Sequence, residues 1–341
     1  MGGAALLATI ASEYPDIVRF ARPTAGPVDA QLRAATSAHQ FVRATADVSA
    51  VAAQLTRAFS LRDALDLPEL RAIVGRVAAV PTLPALYTAL MTELQQPYTS
   101  TRRIGELVSD DAAMAAKMLQ MVNSPFFGLH MRVADPVHAV QLLGLDTVRA
   151  LVLSTQVLET FRKPTRGVID VDRLWRHAAS VSAIAGGLAE QDGAPAEVVQ
   201  DARTAGLLHD IGKLLLVATL PVVSARIGNG ARLEHRPTFE IEQEELGVTH
   251  AELGGYLLGL WGLPKTIVEV AAWHHPPPAH LDPSAALSFV VAGNILDQSA
   301  APRTERPDRE SVFARLNSVL EPLGQSARAA SWLDWTARVA A

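Results

Sequence analysis

Apolar side chains recur every three or four residues along most of the chain, the spacing of one helix face. This pattern runs from 80 to about 160 and again from 171 to 298. Proline and glycine interrupt it at short intervals, which divides it into many short helices. The methionine-rich run Met114–Val122 follows the same spacing and is expected to be core. The pattern predicts a mainly α protein that is helical throughout 80–160.

Two short strand-like runs interrupt the helical pattern near the start of the chain. They are 17-IVRFA-21 and 39-HQFVRA-44, and helical segments lie between and around them. This alternation predicts a small parallel α/β unit over residues 1–65. A linker helix is predicted over 66–79, and a tail with short helices, carrying Trp332 and Trp335, over 299–341.

Composition narrows the classes of partner. The chain holds 30 basic and 35 acidic residues, a net charge of −5, so neither nucleic acid nor an anionic membrane is expected as a main partner. The apolar stretch 140–158 contains Asp146 and Arg149, so it is not a membrane span. The N-terminus lacks the pattern of a secretion signal. We therefore expect a cytoplasmic protein.

Five histidines and one aspartate mark the chemistry of the C-terminal half. They are His177, His209, Asp210, His250, His274 and His275. Each lies on or beside the apolar stripe of a predicted helix, with His250 at a helix start and His209 and His274 at helix ends. Burying such groups is costly without compensation. Taken singly, each is more simply a core or surface residue. The ordered series favours a metal site.

The residue types limit the metal and its ligands. Cysteine is absent, so ligands must come from His, Asp, Glu or Asn side chains. Imidazole and carboxylate suit a divalent transition metal such as Fe, Mn, Zn or Ni. One or two ions could share the site, with Asp210 as a bridge. Lys213, one turn after His209, would offer a cation to phosphate oxygens.

These motifs carry a family resemblance. The runs 174-LWRHAASVSAIA-185, 206-GLLHDIGKLLL-216, 249-THAELGGYLLGLWGLP-264 and 271-AAWHHPP-277 resemble the HD superfamily of metal-dependent phosphohydrolases. Upstream, 80-VPTLPALYTAL-90, 109-SDDAAMAAKMLQMVNSPFFG-128 and 136-PVHAVQLLGLDTVRALVLS-154 resemble its HDOD subfamily. The resemblance covers 75–290. It implies an all-helical domain over 80–298, with a first lobe at 80–165 and an HD-like lobe at 166–298.

The sequence departs from the related HD-GYP phosphodiesterases. Where those enzymes carry an acidic residue and a Gly-Tyr-Pro motif, this chain reads 276-PPPAHLD-282. The resemblance places the last metal ligand of the superfamily at Asn294, a neutral and weaker ligand. Asp297, one turn further on, could substitute for it.

The first 65 residues resemble the second half of a response-regulator receiver domain, on the runs 6-LLATIASEYPDIVRFA-21 and 39-HQFVRATADVSAVAAQLTRAF-59. The half that would carry the phosphate-accepting aspartate is missing. Ala21 stands where Ser or Thr is expected, and Arg43–Ala44 replaces Lys–Pro. We expect a truncated, degenerate receiver that forms a homodimer or another contact through the strand edge near Ile17–Ala21.

Three functions compete. The first is a signalling module, without turnover, that binds a partner protein or a nucleotide. The second is a metal-dependent phosphohydrolase acting on a nucleotide or cyclic dinucleotide, with Asp210 and Lys213 as its catalytic residues. The third is a helical scaffold, which the clustered histidines argue against because they would repel one another when protonated. The missing motif and Asn294 favour the first.

Overall fold

The computed structural model describes residues 98–123, 132–145, 171–261, 263–275, 285–300 and 307–339, with short pieces of the first 96 residues, residue 148 and residues 159–160. The described residues are predominantly helical, which confirms the predicted mainly α class. The predicted linker helix at 66–79 lies outside them apart from Ile73. The predicted domain boundaries stay predictions.

The described residues in the first part of the chain include four helices with defined bounds and four very short strands. They are α1 (Gly3–Glu13), β1 (Phe20–Ala21), β2 (Gln40–Phe41), β3 (Pro81–Thr82), α2 (Thr101–Ser109), α3 (Ala112–Val122), α4 (Pro136–Leu143) and β4 (Glu159–Thr160). Helices α2, α3 and α4 each begin after an N-cap residue whose side chain accepts a hydrogen bond from a backbone N–H of the first turn. These N-cap residues are Ser100, Asp111 and Asp135. Every residue of α3 is buried, so the methionine-rich run is core, as predicted.

The histidine-bearing part is a helical bundle, followed by two further helices. Its helices are α5 (Val171–Gln191), α6 (Ala196–Leu208), α7 (Ile211–Thr219), α8 (Pro221–Glu234), α9 (Thr238–Leu246), α10 (His250–Leu260), α11 (Lys265–Trp273) and α12 (Ala285–Ala300). The chain then forms α13 (Arg309–Leu320), a 3-10 turn (Ser326–Arg328) and α14 (Ala329–Val339). Trp332 of α14 is buried and donates to Asp192, which fixes the C-terminal helices to the end of α5.

Two parallel strand pairs lie outside the bundle. β1 pairs with β2, in agreement with the predicted pairing of the two strand-like runs. β3 pairs with β4, so the prediction that 80–160 is helical throughout was wrong. Pro81 has no N–H to give to a helix and fits the first position of a strand. The receiver-like origin and dimer role of residues 1–65 stay predictions.

Backbone contact between α7 and α10 sets the geometry of the histidine region. Helix α5 packs along α6 and α12, and α10 packs against both α7 and α11. A Cβ atom added to Gly212 would lie 1.9 Å from the carbonyl oxygen of His250. Only glycine permits this approach, which brings the start of α7 beside the start of α10. Within the described residues, no helix combines the length and apolar character that crossing a membrane requires.

We expect Gly212→Ala to lower the free energy of unfolding by about 3 kcal/mol, because the new methyl group forces α7 and α10 apart. Chemical denaturation of the full chain measures this. Gly228→Ala on α8 is the matched control, since a Cβ atom there meets nothing within 4 Å. Unchanged stability of the Gly212 variant would contradict the close approach.

Two basic side chains from residues 80–165, the predicted first lobe, contact the histidine-bearing bundle. Lys117 of α3 is buried, donates to Gln120 Oε1 at 2.6 Å, and lies 5.5 Å from the ring centroid of Trp261. Arg132 donates from Nη1 to the carbonyl oxygen of Leu263 at 2.9 Å. Burial lowers the pKa of the Lys117 ammonium to about 8, so keeping it charged in the fold is costly.

The free energy of unfolding should depend on pH through Lys117. Between pH 8 and about 10.5, the unfolded chain retains a proton that the folded chain has released, so stability rises with pH. Below pH 8 both states are protonated and the full cost remains. Lys117→Met should therefore stabilise the chain at pH 7, by up to about 3 kcal/mol.

Urea denaturation at pH 7, 8, 9 and 10 measures this effect. The stability difference between Lys117→Met and the wild type should shrink towards pH 10. Lys265→Met serves as the control, because that lysine side chain is 87% exposed. A difference that stays constant over this range would show that burial does not lower the pKa of Lys117.

Candidate metal centre

The fold brings together the five histidines and Asp210 from four places in the bundle. His177 lies on α5, and His209–Asp210 forms the turn between α6 and α7. His250 is the first residue of α10. His274–His275 follows directly after α11. Each is placed by a helix or a helix end, so packing of the bundle fixes their positions.

The carboxylate of Asp210 lies at the centre. Its Oδ2 atom is 3.6 Å from Nε2 of His177 and 3.5 Å from Nε2 of His209. Its Oδ1 atom is 3.2 Å from Nε2 of His250 and 3.4 Å from Nε2 of His274. One oxygen therefore faces each side of the site, the arrangement that a bridging ligand needs.

The ligand atoms form two groups. The first cluster is His177, His209 and Asp210, and the second cluster is His250, His274 and His275. Within each cluster the candidate ligand atoms lie within 4.8 Å of one another. In the second cluster, Nε2 of His250 is 3.3 Å from Nε2 of His274 and 2.9 Å from Nε2 of His275.

Hydrogen bonds at Nδ1 fix which ring nitrogen faces the site. In four histidines the partner of Nδ1 is an atom that can only accept a hydrogen bond. For His177 and His250 it is a carboxylate oxygen, of Asp297 and Glu242 respectively, each at 2.6 Å. For His209 and His274 it is a backbone carbonyl oxygen, of Gly206 at 2.7 Å and Ala271 at 3.0 Å. Nδ1 must therefore carry the hydrogen, so in the neutral rings the Nε2 lone pairs point inward.

These converging lone pairs fit a cation. Among the described residues, only three buried side-chain atoms lack a hydrogen-bond partner, and two of them are Nε2 of His209 and Oδ1 of Asp210. Leaving such atoms unpaired costs about 1–3 kcal/mol each. Imidazole nitrogens around a carboxylate, without thiolates, suit divalent transition metals. The residues present thus fit one or two such ions.

The electrostatics keep Asp210, His209 and His274 in their metal-binding forms. Burial by itself would raise the pKa of Asp210, but the Lys213 ammonium at 2.7 Å and the neighbouring histidines hold it well below its usual value. Burial lowers the pKa of His209 and His274, so both rings are neutral. For His250 burial opposes the Glu242 carboxylate, which prevails and raises the pKa of the ring.

Sequence reasoning missed two residues on α9. Glu242 is buried and accepts hydrogen bonds from both Nδ1 and the backbone N–H of His250, the latter at 2.7 Å. The Phe239 ring stacks on His275 with centroids 4.3 Å apart. The sequence signal that could have found Glu242 is a charged residue on an apolar helix stripe. Glu242 shares a helix face with Phe239 and Leu246.

Helix α12 supplies the remaining predicted residues. Asn294 is buried, and its Oδ1 atom accepts a hydrogen bond from Gln298 at 2.7 Å. Asp297 lies one turn later and receives the Nδ1–H of His177, so it orients that ring. That Asn294 or Asp297 binds the metal stays a prediction.

The site is enclosed except along one edge. His209, His250 and His274 are buried. The side chains of His177, Lys213 and Asp297 are 14%, 20% and 22% exposed. Solvent therefore reaches the first cluster from the side of α5, α7 and α12.

A helical bundle that carries histidines and an aspartate in this arrangement is characteristic of HD-type proteins. The HDOD domain family matches residues 80–277, more than half of the chain. The chain therefore belongs to the HDOD family, as the motifs predicted. The match does not reach residues 1–65.

Two relatives and one solved structure are among the proteins similar to the chain. An uncharacterized protein of Treponema pallidum (strain Nichols) is 27% identical over 209 residues, 60% of this chain and 39% of that protein. Ribonuclease Y of Aquifex aeolicus (strain VF5) is 30% identical over 145 residues, 42% of this chain and 20% of that protein. The chain thus spans about two fifths of the first relative and one fifth of the second.

The solved structure is the MmoQ response regulator from Methylococcus capsulatus str. Bath. It has a TM-score of 0.57 and 20% sequence identity, and the match covers 75% of this chain and 97% of that one. At this identity the likeness shows a shared fold.

We expect Glu242→Gln to weaken metal binding at the second cluster about tenfold, because the neutral amide no longer raises the basicity of His250. Calorimetric titration of the full chain with Zn²⁺ measures the affinity. Glu244→Gln is the matched control, since that carboxylate lies on the same helix but is exposed and paired with Arg236. Equal affinities for the two variants would contradict this role.

Proposed function

We propose that this chain is a signal-transduction module that holds one or two divalent transition ions in its histidine clusters. It acts by binding a partner protein or a nucleotide, without turnover. The observation that carries this proposal is the enclosure of the second cluster: His250 and His274 are each at most 2% exposed, and His275 is only partly exposed. Closed coordination is typical of metal sites that stabilise or signal, whereas catalytic sites keep an open position.

Each residue has a defined part in this proposal. His177, His209 and Asp210 would hold one ion, and the second cluster would hold the other. A bound ion would supply positive charge and link helices that otherwise meet only by packing. Lys213 balances the Asp210 carboxylate, while Asp297 and Glu242 keep His177 and His250 turned inward.

Two further observations support a signalling role. The chain reads 276-PPPAHLD-282 where the related phosphodiesterases carry their Gly-Tyr-Pro motif. The solved structure that shares the fold is named a response regulator.

A second candidate function is hydrolysis of a phosphoester in a nucleotide or cyclic dinucleotide. The observation that favours it is the solvent-exposed edge of the first cluster, where Lys213 lies beside Asp210. An ammonium group there could bind a phosphate oxygen while the metal polarises the ester. The relative named ribonuclease Y accords with this chemistry.

Metal content and turnover together test the proposal. Mass spectrometry of the tag-free full chain should find one or two equivalents of a transition metal. These should be lost in a His209→Ala/Asp210→Ala variant. With Mn²⁺ or Ni²⁺ added, bis(p-nitrophenyl) phosphate and cyclic dinucleotides should be turned over no faster by the wild type than by Asp210→Ala.

Asp334→Asn, at an exposed carboxylate on α14, is the matched control for both assays. Turnover that persists in this control but disappears in Asp210→Ala would refute the proposal and establish the phosphohydrolase. Absence of metal from the wild type would refute the metal-holding role.

A further inference from the structure

Lys117 lies outside the metal centre, yet keeping its buried ammonium group charged costs free energy in the folded state. Its ammonium lies over the ring of Trp261, and Arg132 donates to the carbonyl of Leu263. Both basic residues come from the first lobe. Their partners, Trp261 and Leu263, lie in the turn between α10 and α11.

The same two helices carry the whole second cluster at their other end. His250 is the first residue of α10, and His274–His275 follows the last residue of α11. α10 contains 11 residues, so the two ends of this helical hairpin are about 16 Å apart. One end therefore holds three metal ligands and the other end contacts the first lobe.

Close packing makes the hairpin a stiff unit. A Cβ atom added to Gly255 of α10 would lie 2.6 Å from Cβ of Ala272 of α11, so the two helices are in direct contact. Thr249 and Glu252 form a capping box that holds the start of α10 in one conformation. Packed helices of this kind shift together rather than bend.

The first cluster is held differently. His177 lies on α5 and His209 ends α6, so neither is part of the α10–α11 hairpin. Asp210 is the residue through which the two clusters meet. The first lobe also contacts α6, where Gln200 donates to Asp135 at 3.3 Å, but α6 carries only His209 at its end, whereas the α10–α11 hairpin carries the whole second cluster.

We propose that the α10–α11 hairpin couples metal binding at the second cluster to the contact between the two lobes. The inference rests on the proposed metal-holding function and adds the route by which the site acts on the first lobe. Filling the second cluster would shift the stiff hairpin as a unit and so change how its turn fits against Lys117 and Arg132. Because such coupling is reciprocal, the lobe contact also sets the metal affinity of the second cluster.

Hydrogen exchange of the full chain with and without Zn²⁺ is the first test. Zn²⁺ should slow exchange of the backbone amides of Trp261 and Leu263 and of those in α3. His275→Ala, which removes a ligand of the second cluster, should abolish this protection. His177→Ala, which removes a ligand of the first cluster, should leave it in place.

The second test changes the lobe contact and measures the effect on Zn²⁺ affinity at the second cluster. Arg132→Gln should weaken Zn²⁺ binding at the second cluster about fivefold, within the usual range of coupling between sites, and leave the first cluster unchanged. Lys117→Met should do the same, so the inference does not depend on one variant. Arg103→Gln is the matched control in the first lobe, where the arginine is exposed and paired with Glu106.

The outcomes separate this inference from the proposed function. If Zn²⁺ binds but the turn exchanges equally in the wild type and His275→Ala, the coupling is wrong and the metal-holding role stands. Unchanged affinity in both Arg132→Gln and Lys117→Met would also overturn the coupling. If the wild type binds no Zn²⁺, Mn²⁺ or Ni²⁺, both the coupling and the metal-holding role are overturned.

Discussion

Burying the carboxylate of Asp210 would cost several kcal/mol if nothing balanced its charge. Lys213 supplies one positive charge at 2.7 Å, and histidine rings surround the two oxygens. To bring the rings there, α5, α7, α10 and α11 must converge on one point, and Gly212 lets α7 and α10 meet at their backbones. The bundle is therefore arranged around a charge that it must keep compensated.

The groups behind the ligands matter as much as the ligands. Carboxylates of Asp297 and Glu242 each accept an Nδ1–H, which leaves Nε2 of His177 and His250 facing Asp210. Without these acceptors the rings could turn or take the other tautomer, and the inward lone pairs would be lost. Sites with this degree of support keep their geometry whether or not catalysis follows, so the ligand set alone does not identify an enzyme.

The proposed regulatory role depends on the contact between the two predicted lobes. The second cluster and the lobe contact occupy opposite ends of one helical hairpin, and a buried lysine lies at the contact. Burial lowers the pKa of this lysine to about 8, so a change in its surroundings changes the free-energy cost of keeping it charged. Under the proposed coupling, the α10–α11 hairpin would connect the second cluster mechanically to a second helical surface.

The sequence by itself determined the helical class, the HDOD family and the residues that converge, because helical periodicity and local motifs are written in neighbouring positions. It predicted helix where β3 pairs with β4, since that ladder joins residues 78 positions apart. Only the tertiary structure revealed Glu242 behind His250 and Lys117 over Trp261. These contacts join different helices, and no local pattern specifies which side chains meet when helices pack.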